Sequence, residues 1–261
     1  MSRLLTLSSV TMFLCLMMLA YSAMAGVRDP LVHWALDGDG ADSVGSNDLS
    51  IEGGDFEAGK YGQALSLDGS GAHAVDDDGG DYVNGLDAIT IAMWVKSNQT
   101  STDKGFFVGN DPNGEDKWLC IRYDVAGSNG GGANVIKAGV ITDAGKTTLE
   151  SSADIQITEW QHVAMVWSTD EQLKLYIDGV EDAPTANEAA IGSSISGFTK
   201  LIVGKGAKDT SGGWDGLIDD VYIYPEALSA AEIAEVMTGK ALSVDASGKL
   251  ATLWGQVKQA K

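Results

Sequence analysis

Carboxylates gathered in glycine-rich loops are the residues of this chain best placed to do chemistry, and that chemistry is the binding of a hard divalent cation through oxygen. Asp37-Gly38-Asp39-Gly40, followed by Asp42 and Asp48, forms one such loop, and Asp76-Asp77-Asp78-Gly79-Gly80-Asp81 places four acids within six residues. Repulsion within such a run is relieved by solvent or by a cation. The first loop is not a helix-loop-helix calcium loop. Counted from Asp37, position 6 is Asp42 where the sharp turn needs glycine, and position 12 is Asp48 in place of the longer glutamate. A calcium site of another kind stays open here, as does a plainly solvated acidic surface. Asp219 poses a separate question, because it stands in the apolar run Leu217-Ile218-Asp219-Asp220-Val221-Tyr222-Ile223-Tyr224. A carboxylate buried there needs hydrogen bonds, an ion pair or a metal, since burying it alone costs several kcal/mol.

Covalent and acid–base chemistries find less support. A retaining glycosidase needs two carboxyl groups about 5 Å apart, commonly offered by a Glu-x-Asp-x-Glu strand. That spacing is absent, as are a Gly-x-Ser-x-Gly elbow, a His-Glu-x-x-His zinc helix and a Walker loop. Of His33, His73 and His162, only His73 falls outside a strand pattern. Cys120 alternates with Leu119 and Ile121, which reads as a packed thiol. The chain is therefore read as a non-enzyme.

Residues 1–25 have the layout of a secretory signal peptide: Arg3 as the single charge, an apolar run from Leu4 to Leu19, and Ala23-Met24-Ala25 before a cleavage point after Ala25. The expected location is extracellular or periplasmic. Beyond that segment no stretch approaches the roughly 20 apolar residues of a membrane span. The remaining chain holds 37 acids against 16 bases, a charge of −21 that opposes nucleic acid and anionic lipid and favours cations or simple solubility. With one cysteine left, no intramolecular disulfide can form, so the core, hydrogen bonds or a metal must hold the fold.

The elements that would position these acids are strands. Ile89, Ile91, Met93 and Val95 alternate along one run, and Val163, Met165 and Trp167 along another. Leu173, Leu175 and Ile177 then lead into Asp178-Gly179, a dipeptide suited to a tight hairpin. Val32–Leu36, Ala64–Leu67, Phe106–Gly109, Trp118–Tyr123, Val135–Thr142, Thr147–Glu150, Leu201–Val203 and Leu217–Tyr224 are further strand candidates. In the last of these, strict alternation places Leu217, Asp219, Val221 and Ile223 on one face. Many short strands without intervening helical periods predict an all-β sandwich. One helix start is expected at Ser229, with Glu232 completing a capping box and Leu228 and Ile233 a hydrophobic staple. Residues 240–261 form a tail in which Leu250, Leu253, Trp254 and Val257 recur at helical spacing, suited to docking or self-association.

Taken together, Gly59-x-x-Gly62-x-Ala64-Leu65-x-Leu67-Asp68-Gly69, Ile91-x-Met93-Trp94-Val95, Trp160-x-His162-Val163-Ala164, Leu175-Tyr176-Ile177-Asp178-Gly179, Gly216-x-Ile218-Asp219-Asp220-Val221 and Ala227-Leu228-Ser229-x-x-Glu232-Ile233 resemble the laminin-G-like, concanavalin A-like domains of secreted bacterial proteins. The resemblance implies a two-sheet antiparallel jelly-roll sandwich with a short C-terminal helix, over a domain placed at 26–239. It further implies binding of a glycan or an extracellular protein, and a structural calcium between the first acidic loop and the last strand. Carried onto this sequence, the metal candidates are Asp37, Asp42, Asp68 and Asp219. Candidate ligand-binding residues are Asp76, Asp78, Tyr82, Trp118 and Trp214; for the aromatics, stacking on a sugar and packing in the core fit equally. An adhesive or structural part of the cell surface is the alternative role, and a polysaccharide hydrolase or lyase is the third.

Overall fold

The two runs with the clearest alternation lie side by side. β6 (Ala88–Ser97) pairs antiparallel with β11 (Gln161–Ser168), from Gln161 opposite Val95 to Ser168 opposite Ala88. Ile89, Ile91, Met93 and Val95 on one strand and Val163, Met165 and Trp167 on the other enter the same interior cluster. Ala92, Ala164 and Val166 enter a second cluster on the opposite face, so both strands are buried on both sides. β12 (Lys174–Ile177) follows β11, and the turn to β13 (Val180–Glu181) has positive φ at both Asp178 (50°) and Gly179 (79°), as a primed hairpin turn requires.

The structure, a computed structural model, describes residues 27–110, 118–127, 132–142, 144–182, 192–205 and 213–239. Within these residues the first sheet runs β13, β12, β11, β6, β15 (Asp215–Tyr224), β4 (Gln63–Asp68), β3 (Asp55–Ala58), and β1 (Val32–Trp34) pairs with β15. The second runs β10 (Gly145–Glu150), β9 (Val135–Thr142), β8 (Trp118–Asp124), β7 (Gly105–Asn110), β14 (Lys200–Val203), β5 (His73–Asp76), β2 (Ser50–Glu52). All these pairings are antiparallel, and consecutive pairs such as β7–β8 combine with crossovers such as β6–β15, β6–β11, β5–β14 and β7–β14, as in a jelly roll. The inner faces meet over a core in which Trp34, Trp167 and Trp214 are fully buried.

Two short helices complete the described fold. α1 (Gly80–Val83) begins within the second acidic run, where only a loop is expected from the sequence, and continues past it. α2 (Ala230–Val236) begins at the expected capping box: Ser229 Oγ accepts from Glu232 N, and the Glu232 carboxylate accepts from Ser229 N at 2.8 Å. Leu228, Ile233 and Val236 seal the outer face of the first sheet over Tyr176, Tyr222 and Tyr224. Each such apolar side chain removed from water contributes on the order of 1.5–3 kcal/mol. No helix among the described residues is long and apolar enough to cross a membrane. Residues 1–25 and 240–261 lie outside the described residues.

Strict alternation fails in β15. Its register against β6 shifts between Asp219 and Tyr222, and Asp220 takes φ 49°. Ile218 and Val221, three residues apart, therefore share the interior with Ile223, while Tyr222 and Tyr224 face α2. The strand carries a bulge, and the bulge re-aims its two acids.

Candidate metal and ligand site

The first acidic loop and the last strand meet at the tip of the β3–β4 hairpin, Gly59-Lys60-Tyr61-Gly62, closed by Gly59 N donating to Gly62 O at 3.0 Å. Asp219 reaches this tip from the bulge, and its Oδ2 accepts from Lys60 N (2.7 Å) and Tyr61 N (3.0 Å). Asp37 reaches it from the other side, with Oδ1 accepting from Gln63 N at 2.6 Å. The two glycines are required by these carboxylates. A Cβ on Gly59 would stand 2.6 Å from Asp219 Oδ2, and one on Gly62, at φ +52°, 2.0 Å from Asp37 Oδ1.

Asp219 is fully buried, and its Oδ1 has no hydrogen-bond partner. Burial pushes its carboxyl up to about 7; the charges of Asp220 and Asp37 add to the rise, while the Tyr61 and Lys60 amides oppose it. Beside it, Lys60 Nζ lies 4.0 Å from the centroid of the Trp94 ring, a cation–π contact. Tyr61 OH (3.0 Å) and Trp94 Nε1 (3.3 Å) both donate to Met237 O, tying the hairpin tip to the end of α2. His162 meets the edge of Trp94 at 5.3 Å, has no partner at Nδ1, and is pushed down to about 3 by burial, with the Lys60 charge adding to the effect.

Asp42 serves its own loop. Its Oδ1 accepts from His33 N and Val44 N, each at 3.1 Å, and its Oδ2 from Asn47 N at 3.2 Å. The same loop carries a polar relay that the sequence reading missed: Ser43 Oγ lies 2.6 Å from His33 Nδ1, and Asp220 Oδ1 lies 2.8 Å from His33 Nε2. A carboxylate at Nε2 assigns the ring proton there, leaving Nδ1 to accept from the Ser43 hydroxyl. His33 also stacks on Tyr222 at 4.1 Å. His33 and Asp220 are 187 residues apart, so no local spacing announces the pair. Asp68 is exposed at the far end of β4, opposite Asp215, where the hydroxyl and backbone amide of Ser70 hold its carboxyl below the usual range. Of the four metal candidates, the hairpin tip thus gathers Asp37 and Asp219, while Asp42 and Asp68 do not bond to it. Among the described residues no group of three or more His, Cys, Asp or Glu side chains is arranged to hold a metal.

The second acidic run is organised by Asp76, which is buried: its Oδ1 accepts from Asp78 N at 3.0 Å and its Oδ2 from Tyr82 OH at 2.7 Å. Lys200 Nζ pairs with Asp77 at 2.6 Å, and Asp78 is exposed beside the half-buried Tyr82. Trp214 has no face free for a sugar, a correction to its place among the ligand candidates. It is fully buried, packed edge-on against Phe106 and Tyr123, both at 5.2 Å, with Nε1 donating to Leu217 O. Trp118 begins β8 opposite Asn110, and its side chain lies outside the described residues.

A sequence model of the concanavalin A-like lectin/glucanases superfamily, of laminin-G type, matches residues 68–234. No curated protein matches the sequence. Among solved structures, the chain is similar to domain 4 of AbnA, a GH43 extracellular arabinanase from Geobacillus stearothermophilus, in complex with arabinotriose. The TM-score is 0.60 at 23% identity, over 80% of this chain and 98% of that one. It is also similar to the binding domain of botulinum neurotoxin serotype G (TM-score 0.60, 15% identity, 81% of this chain), of which it spans 51%. A structure of botulinum neurotoxin type C, whose cell entry depends on two ganglioside molecules, matches with TM-score 0.56 at 15% identity, over 80% of this chain and 51% of that one. At these identities the likeness is one of fold.

Proposed function

Because the chain belongs to the laminin-G-type concanavalin A-like superfamily, we propose that it is an exported binding module that takes a glycan at its loop surface and carries a structural calcium. The observation that carries the reading is the use to which its polar groups are put: Asp42, Asp76, Asp219 and His33 each hold a loop or turn in shape. Groups used in this way brace the loops that a binding module would present to its ligand. A sugar ligand is supported by the likeness in fold to a domain described with arabinotriose. Export is supported by the layout of residues 1–25.

Calcium is supported by the buried, unpartnered Oδ1 of Asp219 on the turn that Asp37 also grips. An ion there would be held by these two carboxylates, with carbonyl or water oxygens filling its shell, and it would neutralise a site whose acids repel. Asp78 and Tyr82 are the ligand contacts assigned to the second acidic loop.

Calorimetric titration with arabino-oligosaccharides, followed by a glycan array, tests the binding reading. Saturable binding that Tyr82→Ala weakens at least several-fold, with no release of reducing ends, is the expected result. Failure to bind any glycan would overturn it, and release of reducing ends would turn it into a hydrolase.

A further inference from the structure

At the β13 end of the first sheet, β12 and β13 border a hollow of about 570 Å³. Its apolar floor is Ile155, Ile177 and Val180, and Val180 is 69% exposed, on a strand with one neighbour among the described residues. An open strand edge with a bare apolar side chain is a surface that another segment stabilises by covering. Three carboxylates rim this floor, and each commits one oxygen. Asp178 Oδ1 accepts from His162 N (2.9 Å), Asp182 Oδ1 from Ser152 N (2.9 Å) and Glu181 Oε2 from Tyr176 OH (3.4 Å). Among the described residues no base lines the hollow, and nearby Lys174 is paired with Glu171 at 2.6 Å.

The charge that complements this rim is in the chain itself. In a protein of net charge −20, residues 240–261 hold Lys240, Lys249, Lys258 and Lys261 against Asp245 alone, and Leu250, Leu253, Trp254 and Val257 recur at helical spacing. The chain also passes close to the hollow: a Cβ on Gly179, between the rim residue Asp178 and the floor residue Val180, would stand 3.5 Å from the Met237 thioether. Twelve or thirteen helical residues cover roughly 20 Å, enough to cross such a floor.

We propose that residues 249–261 dock in cis on this hollow. Leu253, Trp254 and Val257 cover Ile155, Ile177 and Val180, and Lys258 and Lys261 meet the free carboxylate oxygens of Asp178, Glu181 and Asp182. The occupant is this chain's own basic amphipathic segment.

Limited trypsin digestion of the full chain, followed by mass spectrometry of the peptides released after Lys249 and Lys258, tests the proposal. Docking slows both cuts, and because cleavage tracks the open population, Val180→Arg and Glu181→Lys should each speed them by about tenfold. Pairing Glu181→Lys with Lys258→Glu, which itself removes the second site, should restore protection at Lys249, and that cut alone is read. Val180 is exposed, so an unchanged melting temperature verifies that its variant is folded. Equal cleavage in the parent and both variants overturns docking. Protection that appears only at high protein concentration, or only with anionic phospholipid vesicles, also overturns it and moves the occupant to a second copy or a membrane surface.

Discussion

Two buried titratable residues near the hairpin tip have opposite effects on stability as pH changes, and single substitutions should separate them. Asp219 rises from 3.8 to about 7 on folding, so between those values the native state binds the extra proton and stability falls as pH rises. His162 falls from 6.5 to about 3, so the unfolded state binds the extra proton and stability rises with pH over that window. Between about pH 4 and 6.5 the two slopes oppose each other, and the parent protein should show little net dependence from this pair. Asp219→Asn keeps an oxygen for the Lys60 and Tyr61 amides and removes the falling limb, so stability should climb between pH 4 and 6.5 by on the order of 2–3 kcal/mol. His162→Gln should give the reverse, a decline from pH 4 to 7. Urea unfolding in chelator, which keeps calcium off Asp219, reads both slopes at five pH values; parallel profiles for the parent and both variants would show that neither group is perturbed.

Among the elements, the β3–β4 hairpin is specified by what approaches its glycines. Gly62→Ala meets both a left-handed φ of +52° and the Asp37 carboxylate, whereas Gly71→Ala, at φ +112°, meets open space. Chemical denaturation should therefore find Gly62→Ala destabilising by about 2–4 kcal/mol through the contact with Asp37 and the turn, and Gly71→Ala by about 1–3 kcal/mol through backbone strain alone. An equal loss from Gly62→Ala in the parent and in an Asp37→Ala background would mean that backbone strain alone sets the cost at Gly62. Ser229→Ala, which removes half of the capping box on α2, should lose about 1 kcal/mol. These elements were legible to different degrees. β6, β11, the Asp178-Gly179 turn and the Ser229 cap could be read because local rules decide them: alternation, positive φ, and a hydroxyl three residues before a carboxylate. β2, β3, β5 and β13 are not legible because each is short and carries only one or two apolar residues among polar ones, whereas the equally short β12 and β14 are mostly apolar. The bulge at Asp219-Asp220 was missed because it exists only against the register of β6. Trp214 and Tyr82 looked alike as ligand candidates because exposure is a property of the packed fold.

For the whole molecule, charge decides how the calcium reading can be tested. With 37 acids and 17 bases, the folded chain repels itself, and any added salt should raise its stability by screening. A rise in melting temperature with calcium alone is therefore no sign of a site. The comparison that separates the two effects is calcium against magnesium at equal concentration, in 0.15 M salt so that the Debye length is already near 8 Å. A site built from Asp37, Asp219 and irregular backbone oxygens suits the flexible coordination of calcium and disfavours the strict octahedron of magnesium. At a hundredfold excess over the dissociation constant, calcium should add about 2.7 kcal/mol, or several degrees for a domain of this size, and magnesium much less. Asp219→Asn should abolish the difference between the two ions while leaving the general salt effect intact. If both ions act alike on the parent protein, the response is screening, and the hairpin tip is held by its two carboxylates and the amides they bind.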